Sequence, residues 1–564
     1  MTALELSGAD PELSAALDRR RRQWQAADGT ARLWDRDSSL WTDSGEAEWL
    51  GWLDVDRLGS VSVSKPEGNR AEMPAADLAE HLAGQPFERC LLLGMGGSAL
   101  GADLLWRALP RRVDAEYIVL DTTDPREIAS ALAGVEPAAL RVIAASKSGG
   151  TIETRLGFEL LLDRLGPAAS SAALAITDPG SALEERARAA GAGVVFGHPD
   201  IGGRFSVLSA FGLAPAAVAG IDVEPLLLSA RRMVAACRRS DDGDGTNPGV
   251  ELGLLLAAAD DCGRDKLYLR APDGYAELVA WVEQLLAESL GKGEVLLLPV
   301  DAAGLPAEPS ADRLDIGLGS GSTGGAPAGG PCADIGADLP VDLGGEFFRW
   351  QFATAVAGAL LGINPFDQPD VESSKVVTRR YVERMKGGDA TTPDGVVRLS
   401  EVSELGLAQL LGTHLGTFPE RGYAVISAYV ERDSRNRELL QALRRRVARL
   451  TGGAAVLGFG PSFLHSTGQA HKGGPNRGLF LQITAEPPVA DIPVPGEGLT
   501  FGQVQLAQAW GDYEVLVERD RRVLAVHIDG DVAEGLRRLV TGCGSVSEVG
   551  ATRRMPARRP AHPV

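Results

Sequence analysis

The sequence predicts an α/β protein: two doubly wound parallel-sheet domains, a helical cap before them and an α/β extension after them. Three observations predict it. Short apolar runs alternate with amphipathic helical stretches from about residue 85, the alternation returns between about 226 and 380, and it returns again over about 395–543. Strands buried on both faces by helices read as continuous apolar runs, which is the pattern of a parallel sheet.

At 564 residues the chain is too long for one core and is expected to divide. Residues 1–75 read as a polar, helical cap, with Trp24, Trp34, Trp41, Trp49 and Trp52 as its packing anchors. Residues 76–225 form the first domain, where "CLLLGMGGSALGADLLWRAL" and "LRVIAASKSGGTIETRLGFELLLDRL" are each strand, small-residue turn and helix. Residues 226–390 form the second, with strands in "DKLYLRAP" and "EVLLLPV" around the helix "AELVAWVEQLLAESLGK". Within it, residues 303–340 are rich in Gly, Ala, Ser and Pro and are expected to be a flexible loop. Residues 391–545 are the extension, with strands in "YAVISAYV", "AAVLGFG" and "GLFLQITA"; 546–564 are expected to be a disordered tail. The basic stretch 435–450 reads as a solvated amphipathic helix.

Composition narrows the function. A net charge of −20 opposes a general nucleic-acid surface, because no excess of cations would displace phosphate counterions. The chain has no long uninterrupted apolar run for a membrane span and no secretory leader pattern at its start, so a cytoplasmic protein is expected. Its five scattered cysteines read as reduced thiols, and neither they nor the histidines show metal-ligand spacing.

An acidic protein can still bind an anion through local geometry. "ASKSGGTIET", from Ala145 to Thr154, follows a strand and opens a helix. Helix N-termini offer free N–H groups and a partial positive charge at the carboxyl edge of a parallel sheet. Ser146, Ser148 and Thr151 add hydroxyls, Lys147 a cation, and Gly149 and Gly150 allow close backbone approach. "GMGGSALG" brings Ser98 to the same edge; neither loop has Walker A or dinucleotide spacing. Together they suggest a small phosphorylated ligand. A plain capped helix start is the alternative for either loop alone.

At "GMGGSALG", "SKSGGTIET", "GGRFSVLSAFGL", "EQLLAESLGK" and "NPFDQPDVESSK", in that order over about 85–380, the chain resembles the glucose-6-phosphate isomerase family. It is similar to the isomerase half of bifunctional transaldolase/glucose-6-phosphate isomerase proteins, whose C-terminal extension "FLHSTGQAHKGGPNRGLFLQ" resembles; no transaldolase barrel fits into residues 1–75. The resemblance implies two sugar-isomerase (SIS) domains. It implies reversible conversion of glucose 6-phosphate and fructose 6-phosphate through an enediolate, without metal or redox cofactor, and a homodimer. It assigns the phosphate cradle to Ser98, Ser146, Lys147, Ser148 and Thr151, the base to Glu288, the enediolate-stabilising cation to Arg204, and a ring-side amine to Lys375.

Glu288 also follows Trp281 and Leu285 on one helix face, near the helix C-terminus. Partial burial and the negative end of the dipole would both help it hold a proton, as a base near neutral pH requires. The plain alternative is an exposed Glu288–Lys292 pair. For Arg204 it is an inter-domain salt bridge, and for Lys375 a solvated lysine.

The chain departs from the family in one respect. The ring-opening histidine expected between Glu288 and Lys375 is absent. His471 and Lys472 in "GQAHKGGPN", with His465 upstream, are the substitutes the sequence offers. Two other readings stay open: a sugar-phosphate-binding protein with little catalysis, and an isomerase for a different hexose phosphate.

Overall fold

The computed structural model describes residues 4–550 except 9, 55–56, 58, 65–69, 83–84, 240–245, 323, 325, 328–329 and 390. Three main sheets carry the chain. The first runs in the order Arg70–Pro74, Ser60–Ser64, Gly193–Phe196, Ala173–Thr177, Leu140–Ala145, Arg89–Gly94, Glu116–Leu120, and its last five strands are parallel. The second runs Glu5–Ser7, Cys332–Asp334, Arg313–Gly317, Lys266–Arg270, Leu298–Asp301, parallel but for the first strand. The third, wholly parallel, runs Val397–Arg398, Arg522–Ile528, Gly478–Ala485, Tyr423–Tyr429, Ala454–Phe459.

Two expectations need correction. Residues 1–75 are not a purely helical cap, since they add antiparallel edge strands to the first two sheets. These strands are short and largely polar, and pairing with an existing edge supplies what their sequence does not. Residues 303–340 are not simply a loop: Arg313–Gly317 lies inside the second sheet and Cys332–Asp334 beside it. Arg313 and Asp315 are both buried there because they pair at 2.6 Å, with the guanidinium 3.8 Å from the Tyr268 ring centre. Composition across the segment hid a local pattern of paired charges. At the chain's end, helix Val532–Gly550 takes in the first residues expected in the tail; 551–564 lie outside the described residues.

The first two sheets share one continuous core around helix Leu339–Leu361, which is buried nearly all round and packs on helices Glu224–Cys237 and Pro248–Asp261. The N-terminal tryptophans belong to this core. Trp52 stacks on Phe205 at 5.3 Å, and Trp41 donates its indole N–H to the Ala355 carbonyl at 2.9 Å. Helix Pro369–Lys386 packs along helix Phe501–Glu518, with Val377, Tyr381 and Met385 against Val504, Ala507 and Trp510. The third sheet is thereby brought against the carboxyl edge of the first.

Candidate active site

Strand Leu140–Ala145 ends in the loop 146–151, and helix Ile152–Leu165 begins at once. Gly149 has φ +70°, a backbone region open to glycine at little cost. Ser146 is buried, donates its hydroxyl to Thr151 Oγ1 at 3.2 Å, and accepts the Gly149 N–H at 3.2 Å. Ser148 is exposed and accepts the Gly150 N–H. The Lys147 amine is 2.8 Å from Asp178 and donates to the His198 carbonyl. The loop therefore offers an anion hydroxyls and helix-end amides, with the lysine charge already balanced.

Strand Arg89–Gly94 leads into the turn Gly96–Ser98, where Ser98 is half-buried. A Cβ on Gly97 would stand 2.1 Å from the Gly203 carbonyl oxygen, so only glycine lets this turn seat against the Arg204 segment.

Arg204 is buried, and every one of its nitrogens is engaged. Nε donates to Ser289 Oγ (2.7 Å), Nη1 donates to Gln368 Oε1 (2.9 Å) and lies 3.2 Å from Glu288 Oε1, and Nη2 donates to the carbonyls of Pro365 and Asp367. Burial pulls the guanidinium below its usual range, with Glu288 and Asp367 acting against it. Stacking of Phe205 on Trp52 fixes the turn that carries it.

Glu288, in helix Ala276–Leu290, is mostly buried beside that guanidinium. Its Oε2 accepts from Gln284 Nε2 at 3.0 Å, one helical turn earlier. The surface pair Glu288–Lys292 does not form, since Lys292 instead holds Asp367 at 2.6 Å and the carbonyls of Asn364 and Asp367. Burial and the nearby Arg204 charge push the Lys292 amine down to about 8.

A cavity of about 290 Å³ is lined by Gly150, Thr151, Glu153, Lys375, His465 and Gln508 among others. The loop 146–151 and Lys375, far apart in sequence, meet there. A larger cleft of about 730 Å³ opens beyond strand Glu116–Leu120, but none of the sequence-predicted site residues line it. Several of its charges are paired, Arg432 holding Asp121 and Glu127, and Arg107 holding Asp103 and Glu277.

His471 is not brought into the site. It lies in helix Gly468–Gly473, buried among the rings of Tyr423, Phe463 and Phe480, and its Nε2 has no partner. Burial, with Lys472 and Arg521 nearby, drives the imidazole down to about 3, so it stays neutral near pH 7. Lys472 is also interior, paired with Asp512 at 2.7 Å. The polar look of "GQAHKGG" concealed a buried helix whose charges are matched from elsewhere in the chain.

His465 is in the site. Its Nε2 is 3.0 Å from Glu153 Oε1, which also accepts from Gln508 Nε2 at 2.6 Å. Glu153, Gln284 and Gln508 were not singled out from the sequence. The first two had a usable signal: each lies within a quoted motif, one turn or less from a predicted site residue. Gln508 had none.

A family model described as phosphoglucose isomerase matches residues 79–255, which takes in both Gly/Ser loops and Arg204 and stops before Glu288. The glucose-6-phosphate isomerase of Rubrobacter xylanophilus is 31% identical over 365 residues, covering 54% of this chain and 84% of that protein. The glucose-6-phosphate isomerase of Cyanothece sp. is 39% identical over 215 residues, 36% of this chain and 40% of its own length. Of solved structures, a hypothetical protein from Thermus thermophilus matches with a TM-score of 0.54 at 24% identity, over 67% of this chain and 99% of its own, and shares the fold.

Proposed function

The chain belongs to the glucose-6-phosphate isomerase family, and from that premise we propose that it interconverts glucose 6-phosphate and fructose 6-phosphate. The observation that carries the reading is the Glu288–Arg204 pair, 3.2 Å apart and mostly buried, with the Arg204 segment seated against the turn Gly96–Ser98. A carboxylate that moves a proton between C2 and C1 leaves a negative enediolate, and a fixed guanidinium beside it is a preorganised counter-charge. Arg204 cannot swing away, since each of its nitrogens is held.

Ser98, Ser146, Ser148 and Thr151 would hold the phosphate with hydroxyls and helix-end amides, and Lys375, which lines the same cavity as Thr151, would meet the sugar. Lys147 then shapes the loop through Asp178 rather than meeting the phosphate. Among the described residues no helix is long and apolar enough to cross a membrane. A cytoplasmic homodimer completes the reading, and light scattering of the purified protein tests the dimer.

The decisive experiment is a coupled assay on fructose 6-phosphate with the wild type and Glu288→Gln. Turnover that collapses in the variant is the expected result. Wild-type protein that binds the sugar phosphate yet never turns it over would make this a binding protein.

A further inference from the structure

Isomerising a cyclic hexose phosphate requires the ring to open first, and the sequence lacks the expected histidine between Glu288 and Lys375. Resting on the isomerase reading above, we propose that the C-terminal domain is part of the active site and supplies His465 as the ring-opening acid–base group.

His465 ends the turn Ser462–His465, which follows strand Ala454–Phe459 of the third sheet. The turn is seated on the first domain at backbone contact. A Cβ on Gly96 would lie 2.4 Å from the His465 carbonyl oxygen, so a glycine is needed beneath it. That same carbonyl accepts from Gln284 Nε2 at 2.9 Å, and this nitrogen also donates to Glu288. One side chain thus ties the backbone of His465 to the base.

The imidazole is held just as firmly. Glu153 is buried at the first turn of the helix that follows the phosphate loop. Burial by itself would raise its carboxyl, but His465 and the hydrogen bonds to it more than offset that and keep it below its ordinary value. A carboxylate only accepts, so Nε2 of His465 carries the proton and Nδ1 presents a lone pair. The second oxygen of Glu153 is buried without a partner, which leaves the histidine and Gln508 to satisfy the group. Thr123 in turn donates to Gln508 at 2.6 Å and fixes which way that amide faces. His465 is 20% exposed, where the paired Glu153 is 3% exposed, and it lines the cavity shared by Thr151 and Lys375.

The step balances within the site. The O1–H proton passes to Nδ1 of neutral His465, the C1–O5 bond breaks, and C1=O1 forms. The same proton is then delivered to O5, so the imidazole ends neutral and the open aldose is left for Glu288. Glu153 stabilises the transient imidazolium and keeps the ring oriented; it is a positioning residue.

The test separates ring opening from isomerisation. Exchange NMR on glucose 6-phosphate measures interconversion of its anomers, which requires opening but no carbon-bound proton. His465→Gln should lower enzyme-catalysed anomer exchange by about 100-fold or more, the usual worth of a positioned acid–base group. Glu288→Gln should keep anomer exchange while losing aldose–ketose conversion. Binding of glucitol 6-phosphate, which cannot close a ring, should survive in both and shows that the site is intact. If His465→Gln proves unstable, Glu153→Gln carries the test, with slower anomer exchange and an altered pH profile at unchanged glucitol 6-phosphate affinity. Wild-type anomer exchange in the folded His465 or Glu153 variant, with isomerisation intact, overturns the inference and leaves the isomerase standing. A wild type that converts neither anomers nor aldose to ketose overturns both.

Discussion

His465 and His471 belong to one short stretch of chain, yet their surroundings make them different chemical objects. His471 is packed between aromatic rings with an unpartnered nitrogen and is held neutral down to about pH 3. His465 is partly exposed, lines the cavity shared by Thr151 and Lys375, and rests on the Glu153 carboxylate. An imidazole can trade protons only where its surroundings accept both charge states. His465 has a carboxylate at one nitrogen and lines a cavity. Closed aromatic packing denies such proton exchange to His471, which serves as a ring-shaped filler. Segment polarity, the signal that favours either histidine in the sequence, cannot distinguish them.

The contrast can be sharpened experimentally, starting where effects are largest. Glu288→Gln should lower kcat for fructose 6-phosphate by about 10²–10⁴-fold, the range for a positioned base. Steady-state kinetics beside a melting curve would show whether the loss is chemical or structural. Lys472→Met should act on stability instead. It leaves Asp512 charged and unmatched in the interior, and breaking such a pair typically costs about 3–5 kcal/mol, readable by urea unfolding.

Thr151→Val should raise KM with little change in kcat, by about 10–100-fold if its hydroxyl meets the phosphate, since a hydrogen bond to a charged group is worth roughly 1.5–3 kcal/mol. An unchanged KM would remove Thr151 from the cradle. His471→Phe should leave kcat alone and cost less than about 1.5 kcal/mol, because the new ring meets the same neighbours. It should also flatten the acid dependence of stability. Folded His471 titrates near 3 against an ordinary 6.5, so the unfolded chain binds the extra proton between those values. The wild type therefore loses stability as pH falls through that window, by up to about 1.4 kcal/mol per unit, and the Phe variant lacks this contribution. The smallest effect is expected from Lys147→Met: KM unchanged, and about 1 kcal/mol or less of stability lost with the Asp178 pair. A KM that rose as it does for Thr151→Val would return Lys147 to the phosphate.

Much of the framework was legible along the chain. Continuous apolar runs located parallel strands in each of the three sheets, among them Arg89–Gly94, Lys266–Arg270 and Tyr423–Tyr429, because burial on both faces leaves no room for polar alternation. The loop 146–151 and the turn at Gly96 could be read too, since Gly and Ser between strand and helix express a local backbone requirement. The strands Ser60–Ser64 and Arg70–Pro74, the outer two of the first sheet, could not be read as strands, because their stability comes from the sheet they join. Nor could the strand Arg313–Gly317, where a buried ion pair stands in for apolar side chains.

By itself, then, the sequence determined which stretches become buried strands, where glycines allow tight turns, and which family motifs carry the loops, Arg204 and Glu288. Each of these depends on a few neighbouring residues. Only the tertiary structure decided that Lys147 turns to Asp178, that His471 is sealed among rings, and that His465 crosses from the third sheet to Glu153. Those outcomes rest on partners brought together from distant parts of the chain. The charge and reach of a polar side chain are set by whichever group it meets in space, and no local pattern encodes that meeting.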